Sequence, residues 1–508
     1  MRTTFTASEL QNATLWRVVS LTAGKTYRWS EAPLSIDSGS GNLQISGGLQ
    51  NAEVDQTAKW LSQQPETRRA TCDMNGINVA SLLAEGHEFD GAPVEIALWR
   101  EGDAWEDRLI LLSGYVTSFG WGGAEEPLRL EVEQGPLQDR GLLPDPQWVV
   151  SVTTWPYAAE NLNGKYYPVV LGCPGVGTVA AVPALFVEST VQGGTNNYLL
   201  VAGHLVSATT VVVFDGSNSE TLTVISGVDG EGRPVALVDL GAATTLAVDP
   251  ELNYYSSWTE AGWRTGGQDS GAGSVLQAVL SQSTLPVDWG AVGSARDILD
   301  GYTVGAFIQN PLSPLEWITS ALLPLLPAVV VVGPSGWRVA PVPIVPTRAD
   351  CVATVEAGDG RPGAVRLGAV QRIGRDEVVN DLALRYALDA IANSSSKTAI
   401  FSGLSIESAT LPRLSFRLYG RRVWTEETVA LYDDSTAYKV LRWRSSAYAF
   451  SRNAATYSLP GWESWISPGR LVWLSDSRLQ VDVPCWVERS TLTADGRTEL
   501  DLVWWRYA

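Results

Sequence analysis

Very few groups in this 508-residue chain could start chemistry. Gly267-Gln268-Asp269-Ser270-Gly271 is a turn that could present a nucleophilic serine, which would need a histidine base oriented by a carboxylate. The two histidines are His87, in Glu85-Gly86-His87-Glu88, and His204, in the strand-like run Val201-Ala202-Gly203-His204. His204 lies too close in sequence to Ser270 for a base and a nucleophile carried on separate barrels. The run reads better as a glycine-rich approach to a helix. Paired carboxylates could serve glycoside hydrolysis. Of the adjacent pairs, Glu125-Glu126 reads as a hairpin tip and Asp433-Asp434 as a helix surface, and neither points at a cleft. Cys72, Cys173, Cys351 and Cys485 form no CxxC pair and are expected to be buried thiols. No nucleotide-loop, zinc-protease or calcium-loop signature occurs. No catalytic residue, cofactor or metal site is expected, and the chain is expected not to be an enzyme.

Aromatic side chains are the other group able to bind something. Of 21 tryptophans, Trp424, Trp443, Trp462, Trp465, Trp473, Trp486, Trp504 and Trp505 fall in the C-terminal part. Exposed, they could stack on sugars; enclosed, they supply rigid contact area. Trp473, Trp486 and Trp504 lie on strand-like runs, which favours core or subunit contact. Trp462 and Trp465, in Leu459-Pro460-Gly461-Trp462-Glu463-Ser464-Trp465, sit on a loop and are the candidates for a partner surface.

The elements that carry these residues are mostly strands. Over 1–150, Leu43-Gln44-Ile45-Ser46, Val94-Glu95-Ile96-Ala97-Leu98 and Leu128-Arg129-Leu130-Glu131-Val132 alternate with period two. A short helix is expected over 77–83, and the proline-rich 142–146 ends the region. Over 165–255, β-branched runs alternate with Gly, Asn and Asp turns, and Val211-Val212-Val213-Phe214 should pair with Thr221-Leu222-Thr223-Val224 across a hairpin. This reads as a small, self-contained inserted β domain. Over 268–345 the pattern predicts helices at 273–281 and 314–326, then a hairpin of 329–332 with 337–339. The last part opens with a strand over 377–386 and continues through 405–419 and a turn at Tyr419-Gly420-Arg421-Arg422. A helix over 426–450 and strands around 467–476 follow. The meander ending in Leu128-x-Leu130-x-Val132 is echoed by one ending in Leu500-x-Leu502-x-Trp504.

Apolar content of 45% and charged content of 18% fit globular folding. The longest apolar stretch, 321–332, is broken by Pro324 and Pro327, so no membrane span is expected. Met1-Arg2-Thr3-Thr4-Phe5-Thr6 lacks a signal-peptide core, which predicts assembly in a cytoplasm. A net charge of −19 excludes the basic face of a nucleic-acid grip. An acidic channel wall that lets DNA slide past is compatible with it, as is a generally acidic proteome.

The order of elements over 376–508 resembles the closing barrel of the tail hub (baseplate hub) proteins of long-tailed bacteriophages and phage-derived particles, and 1–150 resembles their first barrel more loosely. The resemblance implies a mainly β fold with an α+β part. It comprises a first hub β-barrel (1–150), an inserted β-rich accessory domain with linkers (151–265), an α+β helix-plus-hairpin domain (266–349) and a second hub β-barrel with one helix (350–508). It also implies a homotrimer whose six near-equivalent barrels join a sixfold tail tube to a threefold tail tip. The expected partners are a distal tail or tube protein above and tail tip or fibre proteins below. DNA would be in transit only during genome ejection and host cell entry, and the expected location is the virion tail tip. The competing class is a carbohydrate-binding or receptor-binding tail component.

Overall fold

The computed structural model describes all residues except 1–13, 24, 38–40, 59–67, 77, 123–125, 135–140, 159, 176–180, 190–195, 250, 259–269, 334–335, 344, 359–362, 390–391, 404–409, 462, 464, 494 and 506–508. In chain order, the strands begin with β1 (Leu15–Ala23), β2 (Lys25–Ser30), β3 (Leu34–Asp37), β4 (Asn42–Gly47), β5 (Leu49–Thr57), β6 (Arg69–Met74), β7 (Pro93–Arg100), β8 (Leu109–Gly120) and β9 (Leu128–Glu133). They continue with β10 (Val169–Gly172), β11 (Val182–Ser189), β12 (Asn196–Ala202), β13 (Thr210–Phe214), β14 (Ser219–Val228), β15 (Pro234–Asp239), β16 (Tyr254–Ser257) and β17 (Gly305–Ile308). Then follow β18 (Ala328–Gly333), β19 (Gly336–Pro341), β20 (Ala353–Ala357), β21 (Val365–Ile373), β22 (Asp381–Asp389), β23 (Ser394–Ser402) and β24 (Val423–Glu427). The last are β25 (Arg452–Pro460), β26 (Leu471–Asp476), β27 (Val481–Leu492) and β28 (Arg497–Trp504).

Two compact units divide the chain. The first comprises 1–138, 329–375 and 451–508. It is built on one 15-stranded sheet ordered β21-β25-β28-β27-β5-β6-β9-β8-β7-β1-β2-β4-β3, with β26 and β20 branching from β27. Alternation places Leu128, Leu130 and Val132 in one core and Leu500 and Leu502 in another, while Arg129 and Glu131 face outward. The segment 350–508, expected as one barrel, is shared between the units, because 376–450 belongs to the second. The reason is local: β22 pairs with β23 and β24, and the helix Asp434–Tyr448 packs on this three-stranded sheet.

The second unit comprises 139–328 and 376–450. The hairpin forms with Val211 opposite Leu222, inside a closed barrel ordered β11-β12-β15-β14-β13-β16. This barrel is less self-contained than expected. Its core runs without a break into Val150, Trp155, Leu162, Tyr167 and Val170. Hydrogen bonds pin the same boundary: Gly203 N donates to Pro168 O, Gly230 N to Thr154 O, and Tyr167 Oη to Asp229 Oδ2. The Ala272–Leu280 helix forms as the spacing predicts, with Gly273 pressed against the backbone of Arg296. The expected helix over 314–326 is interrupted. Ser313 caps Pro314–Trp317, a wider π turn follows at Ile318–Leu322, and Leu323–Leu325 then closes as a tight 3-10 turn, since Pro324 has no N–H to continue a helical ladder. The helix expected to start at 426 starts at Asp434 instead. β24 holds 423–427 parallel to β22, and Asp433 accepts from Thr436 N at 2.6 Å as the N-cap.

His204 belongs to this boundary. Its Nε2 accepts from Val170 N at 3.1 Å and its Nδ1 lies 3.0 Å from Leu205 O, which fixes the neutral tautomer with the proton on Nδ1. Burial lowers its pKa from 6.5 to about 4. An unfolded chain takes up this proton below 6.5, whereas the folded one does not until about 4. The contribution is therefore complete above pH 6.5 and is lost as pH falls to 4, about 3 kcal/mol in all. Denaturation at pH 7 and pH 4 should show a larger loss for the wild type than for His204→Gln. Equal losses would contradict this reading.

Candidate assembly interface

The large sheet contains the same five-stranded arrangement twice. β5-β6-β9-β8-β7 and β21-β25-β28-β27-β26 have the same chain order and are antiparallel throughout. Both long strands carry a bulge against their partner, between Val116 and Ser118 in β8 and between Val487 and Arg489 in β27. Superposing the bulges aligns Leu130 with Leu500 and Val132 with Leu502. Across the next strand, Ala70 then matches Ala455, Thr71 matches Thr456, and the buried Cys72 matches the buried Tyr457. On the other side Val94 matches Val472 and Ile96 matches Leu474. The correspondence reaches the turn. Gly91 N donates to Val116 O at 2.9 Å, and Gly469 N donates to Val487 O at 3.0 Å. Both glycines need a left-handed backbone (φ 72° and 80°). The alternating patterns alone align Leu128 with Leu500, whereas the structure matches Leu128 with Thr498. A two-residue slip keeps every side chain on its face, so alternation alone cannot detect it.

One edge joins the two halves. The end of β27 pairs antiparallel with β5, with Arg489 opposite Thr57, Ser490 opposite Gln56, Thr491 opposite Asp55 and Leu492 opposite Val54. Ala58 N adds a hydrogen bond to Glu488 O at 2.7 Å. Asp55 Oδ1 accepts from Arg489 Nε at 2.8 Å and from Thr491 Oγ1 at 2.9 Å. This hydrogen bond, more than the opposing desolvation, raises the Arg489 pKa. Beneath the seam lies Trp486, fully buried, with its Nε1 donating to Ala58 O at 3.3 Å.

The candidates named from the sequence are scattered. Trp465 is half-buried and donates from Nε1 to Glu463 Oε2 at 2.6 Å, so its polar edge is engaged within its own loop. Trp462 lies outside the described residues, as do Glu125 and 267–269. Of the strand tryptophans, Trp486 and Trp504 are buried, while Trp473 is half-buried with Nε1 on Asp482 Oδ1 at 2.7 Å. His87 Nε2 lies 3.4 Å from Tyr27 Oη, in a different unit from His204. Gly271 is the N-cap of the Ala272–Leu280 helix. Cys72 and Cys485 are buried, and burial pushes the Cys72 thiol up to about 12; Cys173 and Cys351 are only half-buried. Among the described residues no cluster of three or more His, Cys, Asp or Glu is placed to hold a metal ion, and no helix is long and apolar enough to cross a membrane. The β5–β27 seam is not legible in the sequence because its two strands lie more than 400 residues apart; the unusual length of β27 was the available signal.

No protein-family model and no curated protein matches the chain. Three of the solved structures that superpose on it illustrate how loose the likeness is. A tail protein from Neisseria meningitidis MC58 aligns over 96% of each chain at 8% identity and a TM-score of 0.40. The 43 kDa tail protein of prophage MuSo2 from Shewanella oneidensis aligns over 96% of this chain and 98% of its own, at 10% identity and 0.40. A chain of the native gene transfer agent virion covers 71% of this chain and 89% of its own, at 14% identity and 0.40.

Proposed function

We propose that this chain is a structural tail hub of a phage or phage-derived particle. In this reading three copies form a ring that joins a sixfold tail tube to a threefold tip, and DNA passes through without being bound. The observation that carries it is the duplication: one chain presents two register-matched half-units in a single sheet, so three chains present six. That is the number needed for a threefold object to meet a sixfold one. The net charge of −19 suits a wall past which phosphate must slide. The test is the number and position of copies in purified particles, where the reading requires three copies at one end of the tail.

A further inference from the structure

The two halves of the large sheet differ at one edge. The end of β27 is covered by β5. Its counterpart, 118–120 at the end of β8, has β9 on one side and, among the described residues, no strand on the other. Exposure follows this difference. Trp486, Ser490 and Leu492 are 1%, 3% and 4% exposed, whereas their counterparts Tyr115, Phe119 and Trp121 are 42%, 36% and 39% exposed. The counterpart of β5 is β21, the terminal strand of the sheet, held by β25 along one side. Gln56 is buried in the seam, while its counterpart Arg372 is exposed, as are Val365 and Leu367 on the same strand. Among the described residues both are open edges with large apolar side chains, and proteins seldom leave such edges uncovered.

We propose that β21 of one copy pairs with the end of β8 of the next, in the register of the seam inside the chain. Ile373 then lies opposite Ser118, Arg372 opposite Phe119 and Gln371 opposite Gly120. The occupant is a second copy because the chain already makes this pairing once, between the equivalent strands β5 and β27. The contact is head to tail, each copy giving one edge and receiving the other, so repetition closes a ring or grows without end. This deepens the ring reading of the proposed function and rests on it.

A cross-link tests the register. Ala58 and Glu488 form a hydrogen-bonded pair, so Thr57 and Arg489 are a non-hydrogen-bonded pair. Such pairs have Cα atoms about 4.5 Å apart, within disulfide reach. A chain carrying both Ser118→Cys and Ile373→Cys should give, on oxidation, thiol-reversible multimers ending in one closed species, and neither single variant should. Arg372→Pro removes an N–H aimed at the neighbour, and should weaken assembly about tenfold while leaving the unfolding midpoint of the isolated chain unchanged. Copies that assemble without cross-linking, with Arg372→Pro assembling like the wild type, would overturn the strand pairing and leave the ring reading standing. A chain that stays single at high micromolar concentration would overturn both.

Discussion

Trp486→Ala is expected to destabilise the sheet unit by about 3–5 kcal/mol, the usual cost of emptying a fully buried indole site. The loss should concentrate at the seam, because Trp486 is buried on β27 next to the seam and donates to Ala58 O, which follows β5. Hydrogen exchange should show the amides of β5 and the end of β27 losing protection, while those of β1 and β2 keep theirs. Tyr115→Ala, the same position in the other half, removes a ring that is 42% exposed. In the isolated chain it should change stability by no more than about 0.5 kcal/mol, the range of ordinary surface substitutions. At concentrations where copies associate, it should weaken assembly. Equal effects of the two substitutions on the isolated chain would mean that the halves do not differ as described.

Trp443→Ala is expected to cost a similar amount, about 3–5 kcal/mol, in the second unit. Trp443 is buried on the helix Asp434–Tyr448 and donates from Nε1 to Leu325 O at 3.1 Å. Arg444 beside it stacks 4.3 Å from the Trp424 ring and donates to Pro324 O at 2.6 Å. Burial lowers the Arg444 pKa, so these contacts offset a desolvation cost. Two neighbouring side chains thus supply donors to carbonyls in the tight turn where the helix expected over 314–326 breaks. Trp443→Phe keeps most of the packing and should lose about 1–2 kcal/mol, mainly by leaving Leu325 O without its donor. If the Phe and Ala variants unfold at the same denaturant concentration, packing of the indole is not what holds this helix.

Local patterns survived the passage from sequence to structure, and distant pairings did not. The hairpin of β13 with β14 and the Ala272–Leu280 helix follow from turn chemistry and short-range periodicity, although the partners of 211–214 are 219–222 and not the expected 221–224. The echo between the two meanders was visible because both keep Leu or Val on every second residue. Its register was not, since the bulges at Val116 and Val487 set it and a bulge leaves no mark in an alternating pattern. The placement of 376–450 was misread for a similar reason. Glu426 and Glu427 suit the start of a helix by composition, yet parallel pairing with Leu384 and Arg385 draws them into β24. Trp465 was singled out by its loop, and the hydrogen bond to Glu463 that occupies its indole is a tertiary detail no spacing encodes.

A ring of three chains at one end of a tail fixes how many copies a purified particle holds, and counting them is the decisive measurement. Quantitative mass spectrometry against the capsid protein should give three copies per particle, and an antibody to the chain should label a single site at the tail end away from the capsid. Copies numbering many multiples of six, label running along the tube, or particles that lack the chain altogether would rule out such a ring.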